Sequence, residues 1–295
     1  MMRNGIFEAR QASRKMPPRV KDHAGFARPV MATKGFLLKY QVRKLLVWGA
    51  LAFFSPAAPA IVNVEQAIIG PPSAGLHTTA DWLASGASGN TEKSSNTAGF
   101  LSLWQHGEHT EFLQMQYAYG KSNGQVDTDR AFAHLRHRTA LDAGWAVEGF
   151  VQVGRDSLAR LMQRALAGGG LRWRLFEDDR KFAGYLGCGA FHEQETLSGE
   201  LGTTDPTQAG RWRANSYLVL KRQLNGQVRL NNIAYYQPDT ADTADFRILE
   251  QASMLVKLVQ NLDLKVSLEI AYDSKPPQTV HKMDALYSTG LELSF

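Results

Sequence analysis

The side chains of this 295-residue chain that could do chemistry are its histidines, a scatter of serines and a set of charged groups. His106-Gly107-Glu108-His109 and His134-Leu135-Arg136-His137 carry the H-x-x-H spacing with which a helix chelates a metal. On a strand, positions i and i+3 point to opposite faces, so His134 and His137 cannot share an ion. His106 and His109 flank a turn with no third ligand nearby, and no metal or other cofactor is expected. A lipid hydrolase would need a serine, a histidine and an orienting group; His192, Ser198 and Asn215 are available, but no spacing singles them out. No catalytic residue is therefore assigned, and an enzyme is not the expectation. The scattered glycines of Gly184-Tyr185-Leu186-Gly187-Cys188-Gly189 lack the strand-to-helix context of a nucleotide loop, and Cys188, the one cysteine, has no disulfide partner.

The more informative polar set is sorted by strand parity. Arg136 and Arg138, Arg172 and Arg174, and Arg211 and Arg213 fall on the polar faces of three alternating segments. Asp81, Asp263, Glu269, Asp284 and Glu292, with Lys265 and Lys282 interspersed, fall on the polar faces of three others. If those faces line one lumen, a basic arc faces an acidic arc, giving either a transverse field in a narrow pore or a salt-bridged plug.

The elements that must position these charges are strands. Leu262, Leu264, Val266, Leu268, Ile270 and Tyr272 alternate with Asp263, Lys265, Ser267, Glu269 and Ala271. Eleven residues with one apolar and one polar face match a tilted strand crossing a bilayer, whereas a soluble strand is usually about five or six. The same period-2 reading gives twelve segments, near 77–87, 95–105, 109–119, 128–139, 144–153, 163–175, 181–193, 211–222, 227–236, 245–258, 262–273 and 282–295. Tight connections at 105–108, 140–143, 176–180, 223–226 and 260–261 alternate with longer ones at 120–127, 154–162, 196–210, 237–244 and 274–281. The expected fold class is all-β: a closed antiparallel transmembrane β-barrel of about 12 strands, with short periplasmic turns and longer extracellular loops. Closure follows because lipid offers no hydrogen-bond partner to an unpaired strand edge. Trp104, Trp145, Trp173 and Phe295 then mark the periplasmic interface, and Tyr119, Trp212 and Tyr272 the outer one. Trp82 and Glu250 fit poorly, the one lying mid-strand and the other facing lipid by parity.

The formal charge of +5 invites a nucleic-acid reading until it is located. Residues 1–60 hold 11 Lys and Arg against 2 Asp and Glu, a balance of +9, and residues 61–295 hold 22 against 26, a balance of −4. The basic segment reads as a presequence. Lys34, Lys39, Arg43 and Lys44 precede an apolar run at 45–54, and cleavage is expected after Ala60 in an A-x-A site with Ala58. The signal peptide occupies 31–60, with Met31 as an alternative start, and the apolar run is half of the ~20 residues a spanning helix needs. The expected organisation is a presequence at 1–60, a linker at 61–76 and a barrel at 77–295, without nucleic acid as a partner.

The chain ends Ser288-Thr289-Gly290-Leu291-Glu292-Leu293-Ser294-Phe295, and Ser288, Gly290, Leu293 and Phe295 resemble the signal read by the barrel-assembly machinery. A further resemblance rests on the turn Ser88-Gly89-Asn90-Thr91 and on Tyr272-Asp273-Ser274-Lys275-Pro276-Pro277 followed by Lys282-Met283-Asp284. Over 77–295 the sequence resembles the salt-induced outer-membrane proteins of Gram-negative bacteria, a family classed as a domain of unknown function (DUF481). That resemblance implies an outer-membrane location, contact with outer-membrane lipid and lipopolysaccharide, a link to salt or envelope stress, and no defined activity. Three functional readings remain open: a narrow channel with a charged lumen, a lipid-acting enzyme, and a structural barrel with a plugged lumen.

Overall fold

The structure is a computed structural model and describes residues 73–88, 92–142, 144–178 and 181–295. The presequence with Ala58 and Ala60, the linker to residue 72, and Gly89, Asn90 and Thr91 of the turn motif lie outside the described residues.

Twelve strands follow one another: β1 (Gly75–Ala87), β2 (Lys93–His106), β3 (His109–Ser122), β4 (Gln125–Asp142), β5 (Trp145–Asp156), β6 (Leu161–Asp178), β7 (Phe182–Leu197), β8 (Gln208–Gln223), β9 (Val228–Pro238), β10 (Phe246–Val259), β11 (Leu262–Asp273) and β12 (Met283–Ser294). Each pairs antiparallel with its sequence neighbours, and β1 meets β12 to close a barrel.

Alternation decides which way each side chain faces. Leu113, Met115 and Tyr117 of β3 and Val147, Val151 and Val153 of β5 are exposed on the outer wall, while Phe112, Glu148, Phe150 and Gln152 between them are buried. An outer wall this apolar around a polar interior is stable only where lipid replaces water. Aromatic rings mark both edges of the band. Trp145 stacks on Trp173 at 5.6 Å, and Phe176 meets Phe182 at 4.7 Å near the periplasmic turns. At the other edge Phe246 sits between Tyr236 and Tyr272, 5.7 Å from each.

Two expectations change. The long loop expected over 120–127 is a two-residue turn, because β3 and β4 stay paired through polar residues above the membrane and close on Asn123 and Gly124. Both turn residues have positive φ, 49° and 80°, the backbone a two-residue hairpin with native twist requires. Likewise β5 and β6 leave only residues 157–160 between them. The extended outer connections are 198–207, 239–245 and 274–282. Polarity had marked where lipid ends, and the hydrogen-bonded ladder continues past that point. Glu250 does face outward, and no bulge is needed to place it, since the β10 register is regular there. It accepts a hydrogen bond from Asn232, which faces lipid on β9.

Candidate functional site

The inward faces divide the lumen into a filled side and a hollow side. On the filled side, Phe150, Leu166, Phe191, Tyr217, Val219, Ile233, Tyr235 and Leu249 form one buried apolar cluster inside the barrel. The Tyr217 ring lies against Gly187, where a Cβ would have no room, and this explains one glycine of the 184–189 run.

Charge is built into this packing in two layers. In the first, Glu148 takes Arg138 at 2.6 Å and Arg136 at 3.6 Å, and accepts the Tyr217 hydroxyl at 2.5 Å. Arg136 lies 5.4 Å from the Phe150 ring centroid and Arg172 lies 4.0 Å from that of Tyr185. Nearer the outer face, Glu193 receives Arg213 at 2.7 Å and Arg247 at 2.8 Å. Arg247 also bonds Glu195 at 3.0 Å and Asp273 at 2.8 Å, and Arg164 bonds Glu195 at 2.5 Å. Asp245 joins Arg213 at 2.9 Å and also pairs with Arg211. Cations buried this deeply need a carboxylate nearby: Arg213 and Arg247 hydrogen-bond theirs, whereas Arg136 has Glu148 only at 3.6 Å and lies against the Phe150 and Tyr217 rings.

The outer end of that side is covered. Arg160, in the turn after β5, donates to Asp205 at 2.6 Å, to the Gln278 carbonyl at 2.8 Å and to the Ser198 carbonyl at 3.0 Å. One guanidinium thereby ties the 198–207 loop to the 274–282 loop. Lys275 of that second loop bonds Asp242 at 2.5 Å, and this hydrogen bond holds the Asp242 carboxyl below its ordinary range.

The hollow side lies between β1–β4 and β9–β12. Its cavity of about 470 Å³ is lined by Thr79, Thr97, Gln114, Gln116, Gln251, Ser253 and Ser267, with Asp81, Arg130, Lys265, Glu269 and Glu292. Lys265 sits between Asp81 at 3.2 Å and Glu292 at 3.0 Å, and Arg130 faces Glu269 at 3.5 Å. Asp81 lies over Gly99, where a Cβ would come within 2.6 Å of its carboxylate oxygens. Ser85 and Ser95 line the cavity near the outer turn and Ser294 lines it near the periplasmic end, so the space runs much of the barrel's length.

Arg136, Arg138, Arg172, Arg211, Arg213, Asp81, Asp263, Lys265, Glu269, Asp284 and Glu292 all stand on inward positions of their strands. Two residues of the expected set stand at rims instead. Arg174 faces Glu177 at 3.5 Å beside a bulge that breaks the parity of β6, and Lys282 is exposed ahead of β12. The expected separation into a basic and an acidic arc is replaced by local neutralisation. Glu148, Glu193, Glu195 and Asp245 stand among the arginines, and Asp263 pairs with Arg229. Glu148, Glu193 and Glu195 share the buried parity of their strands, so the rule that found the arginines also reaches them. Asp245 lies in a loop, where parity has no meaning.

Ser288 and Gly290 face the lumen, Leu293 and Phe295 face outward, and Ser88 follows the end of β1. His134 is buried in the lumen with Gln152 at 3.0 Å, and His137 is outside with Glu111 at 2.7 Å. His106, His109 and His137 form a row on the periplasmic end of the wall, with successive ring centroids 5.4 Å apart, and among the described residues no group is arranged to hold a metal ion. The structure does not bring His192, Ser198 and Asn215 together: His192 packs on Trp212 outside, Asn215 bonds Gln237 inside, and Ser198 lies in the tied loop.

Residues 84–295 match the family model described as "Protein of unknown function, DUF481". No curated protein sequence matches. Among solved structures, the chain is similar to the COG4313 outer membrane channel from Pseudomonas putida F1, with 12% identity, a TM-score of 0.48, and coverage of 77% of this chain and 98% of that one. It is also similar to the translocator domain of the autotransporter NalP from Neisseria meningitidis, with 11% identity, a TM-score of 0.46 and coverage of 74% and 87%. The KdgM porin gives 10% identity, a TM-score of 0.40 and coverage of 75% and 99%.

Proposed function

The chain belongs to the DUF481 family, described only as proteins of unknown function, and from that premise we propose that this barrel is a narrow outer-membrane channel for small polar solutes. One observation carries the reading: the lumen is not filled evenly. Ion pairs and aromatic rings occupy one side, while a cavity of about 470 Å³, whose hydroxyl, amide and paired charged side chains alternate with leucines such as Leu83, Leu101 and Leu286, runs along the other. Such a lining replaces part of a solute's hydration shell, and its paired charges leave no strong single-sign field. Within this proposal residues 31–60 act as the export leader, the working chain contacts outer-membrane lipid and lipopolysaccharide, and the channel serves the envelope under salt or other stress.

Planar-bilayer recording on refolded protein tests it. Small, discrete openings are expected, and their absence across a range of voltages would sink the channel reading. The Arg160 tie across the outer loops favours a second reading, a structural barrel with a closed lumen, which that negative result would support.

A further inference from the structure

β1 and β12 close the barrel over only part of their length. Thr79, Ala80, Asp81 and Trp82 pair with Ser294, Leu293, Glu292 and Leu291, and Thr78 exchanges two backbone hydrogen bonds of 2.9 Å with Phe295. Beyond Trp82 both strands continue, but β1 is paired only with β2 and β12 only with β11. Among the described residues, no register pair joins 83–87 to 283–290. The strands are still close at Gly290, where a Cβ would come 2.6 Å from Leu83 Cγ, and they part above it.

The parting lies in the outer half of the wall, because β1 runs from its periplasmic end at Gly75 towards the outer turn after Ala87. The cavity reaches it. Ser85 and Ser288 line the cavity from the lumen side of the two lips, and Ala84, Tyr287 and Thr289, which point outward by parity, line it too. Outward residues line the cavity at Phe100, Met115, Ala252 and Leu268 too, where the ladder is continuous, so the seam is marked by the missing β1–β12 register pairs, with the cavity lying directly behind both lips. Unpaired backbone groups facing hydrocarbon are costly, so the lips need hydrogen-bonding partners that lipid tails do not supply. The adjoining lining offers both chemistries, with Leu83, Leu101 and Leu286 beside Ser85, Thr97 and Ser288.

We infer that the β1–β12 parting is a lateral port through which an amphiphile from the outer leaflet places its acyl chain and hydrogen-bonding head in the cavity. This rests on the cavity being a path for solutes and names the class that enters from the side. Extending the observed register sets Ser85 opposite Ser288, the same kind of non-hydrogen-bonded pair as Thr79 and Ser294. In a Cys188→Ser background, oxidation is expected to bridge T79C/S294C and to leave S85C/S288C unbridged, since a disulfide forms only between closely placed strands. The unsubstituted chain, folded into phosphatidylcholine–phosphatidylglycerol vesicles carrying a diazirine-bearing palmitic acid, is expected after irradiation to carry adducts on lumen-facing Leu83 or Leu286. A bismaleimide linking S85C to S288C should abolish those lumen adducts and spare the ones on lipid-facing Trp82. Complete disulfide formation at 85/288, or adducts confined to outward residues, overturns the port. A barrel that fails to conduct yet carries lumen adducts removes the polar-channel reading and leaves the port standing.

Discussion

The two sides of the lumen are built from the same alternating strands and differ in what stands on the inward positions. On the filled side, made by β5–β8 with parts of β4 and of β9–β11, those positions carry arginines, carboxylates and rings that pack on and pair with one another, as when Arg247 reaches Glu193, Glu195 and Asp273 from one guanidinium. On the other side they carry Thr97, Gln116, Ser253 and Ser267, side chains too short to meet across the barrel, and a cavity remains. Side-chain reach, more than strand number, decides whether a twelve-stranded barrel is solid or hollow at a given angle around its axis. The comparison also locates stability. The filled side holds buried ion-pair networks within an apolar cluster, where removing a shared carboxylate strands more than one arginine.

The largest expected effect therefore comes from Glu193→Ala, which leaves Arg213 and Arg247 short of a buried carboxylate. A loss of about 3–5 kcal/mol is expected, read from the urea midpoint of unfolding in vesicles, whereas Ser253→Ala on the hollow side should cost under about 1 kcal/mol. Equal losses would mean that the two sides do not differ in the way described. Next, Lys265→Met removes the cation between Asp81 and Glu292, a loss of about 1–3 kcal/mol, and leaves two carboxylates facing the cavity. The reversal potential in a KCl gradient should move toward cation preference; no movement would place the conducting path elsewhere. On the outer wall of the filled side, the Asn232–Glu250 pair stands four residues along β10 from the Phe246 girdle, about 10 Å deeper at ordinary strand rise and tilt. Replacing both by leucine should raise stability by about 1–2 kcal/mol, because a carboxyl facing lipid is unfavourable. Destabilisation would show that this wall is covered by something other than lipid.

The smallest effect is at the exposed Asp242–Lys275 contact between outer loops. Asp242 is held below its ordinary value by Lys275, so any contribution of the pair is present above the unfolded carboxylate pKa and is lost as pH falls through the folded one. Lys275→Ala should increase protease cutting in 239–245 at neutral pH and make little difference in acid. An equal increase in acid would assign the effect to loop packing and not to charge.

Much of the architecture is legible in the sequence because alternation has a physical cause that acts locally. A residue on a membrane strand faces either lipid or lumen, and Leu268 beside Glu269 reports which without knowledge of any partner. The same rule orients Arg136, Arg213, Asp263 and Glu292, and it places Glu250 in lipid although the chemistry is unfavourable. It fails where the ladder is irregular, as at Arg174 beside the β6 bulge, and where no ladder exists, as at Asp245 and Arg160. It also overstates loops such as 120–127, where pairing outlasts the apolar pattern.

Strand count, wall orientation and the identity of the inward charges were thus set by the chain's own periodicity. Which inward charges meet, that the hollow lies off-centre, and that β1 and β12 part above Trp82 were decided by register and by the stagger of strands around the closed barrel. Periodicity is a property of each strand alone, whereas register and stagger bring together residues as distant in the chain as Asp81 and Lys265, and only closure determines their relative height.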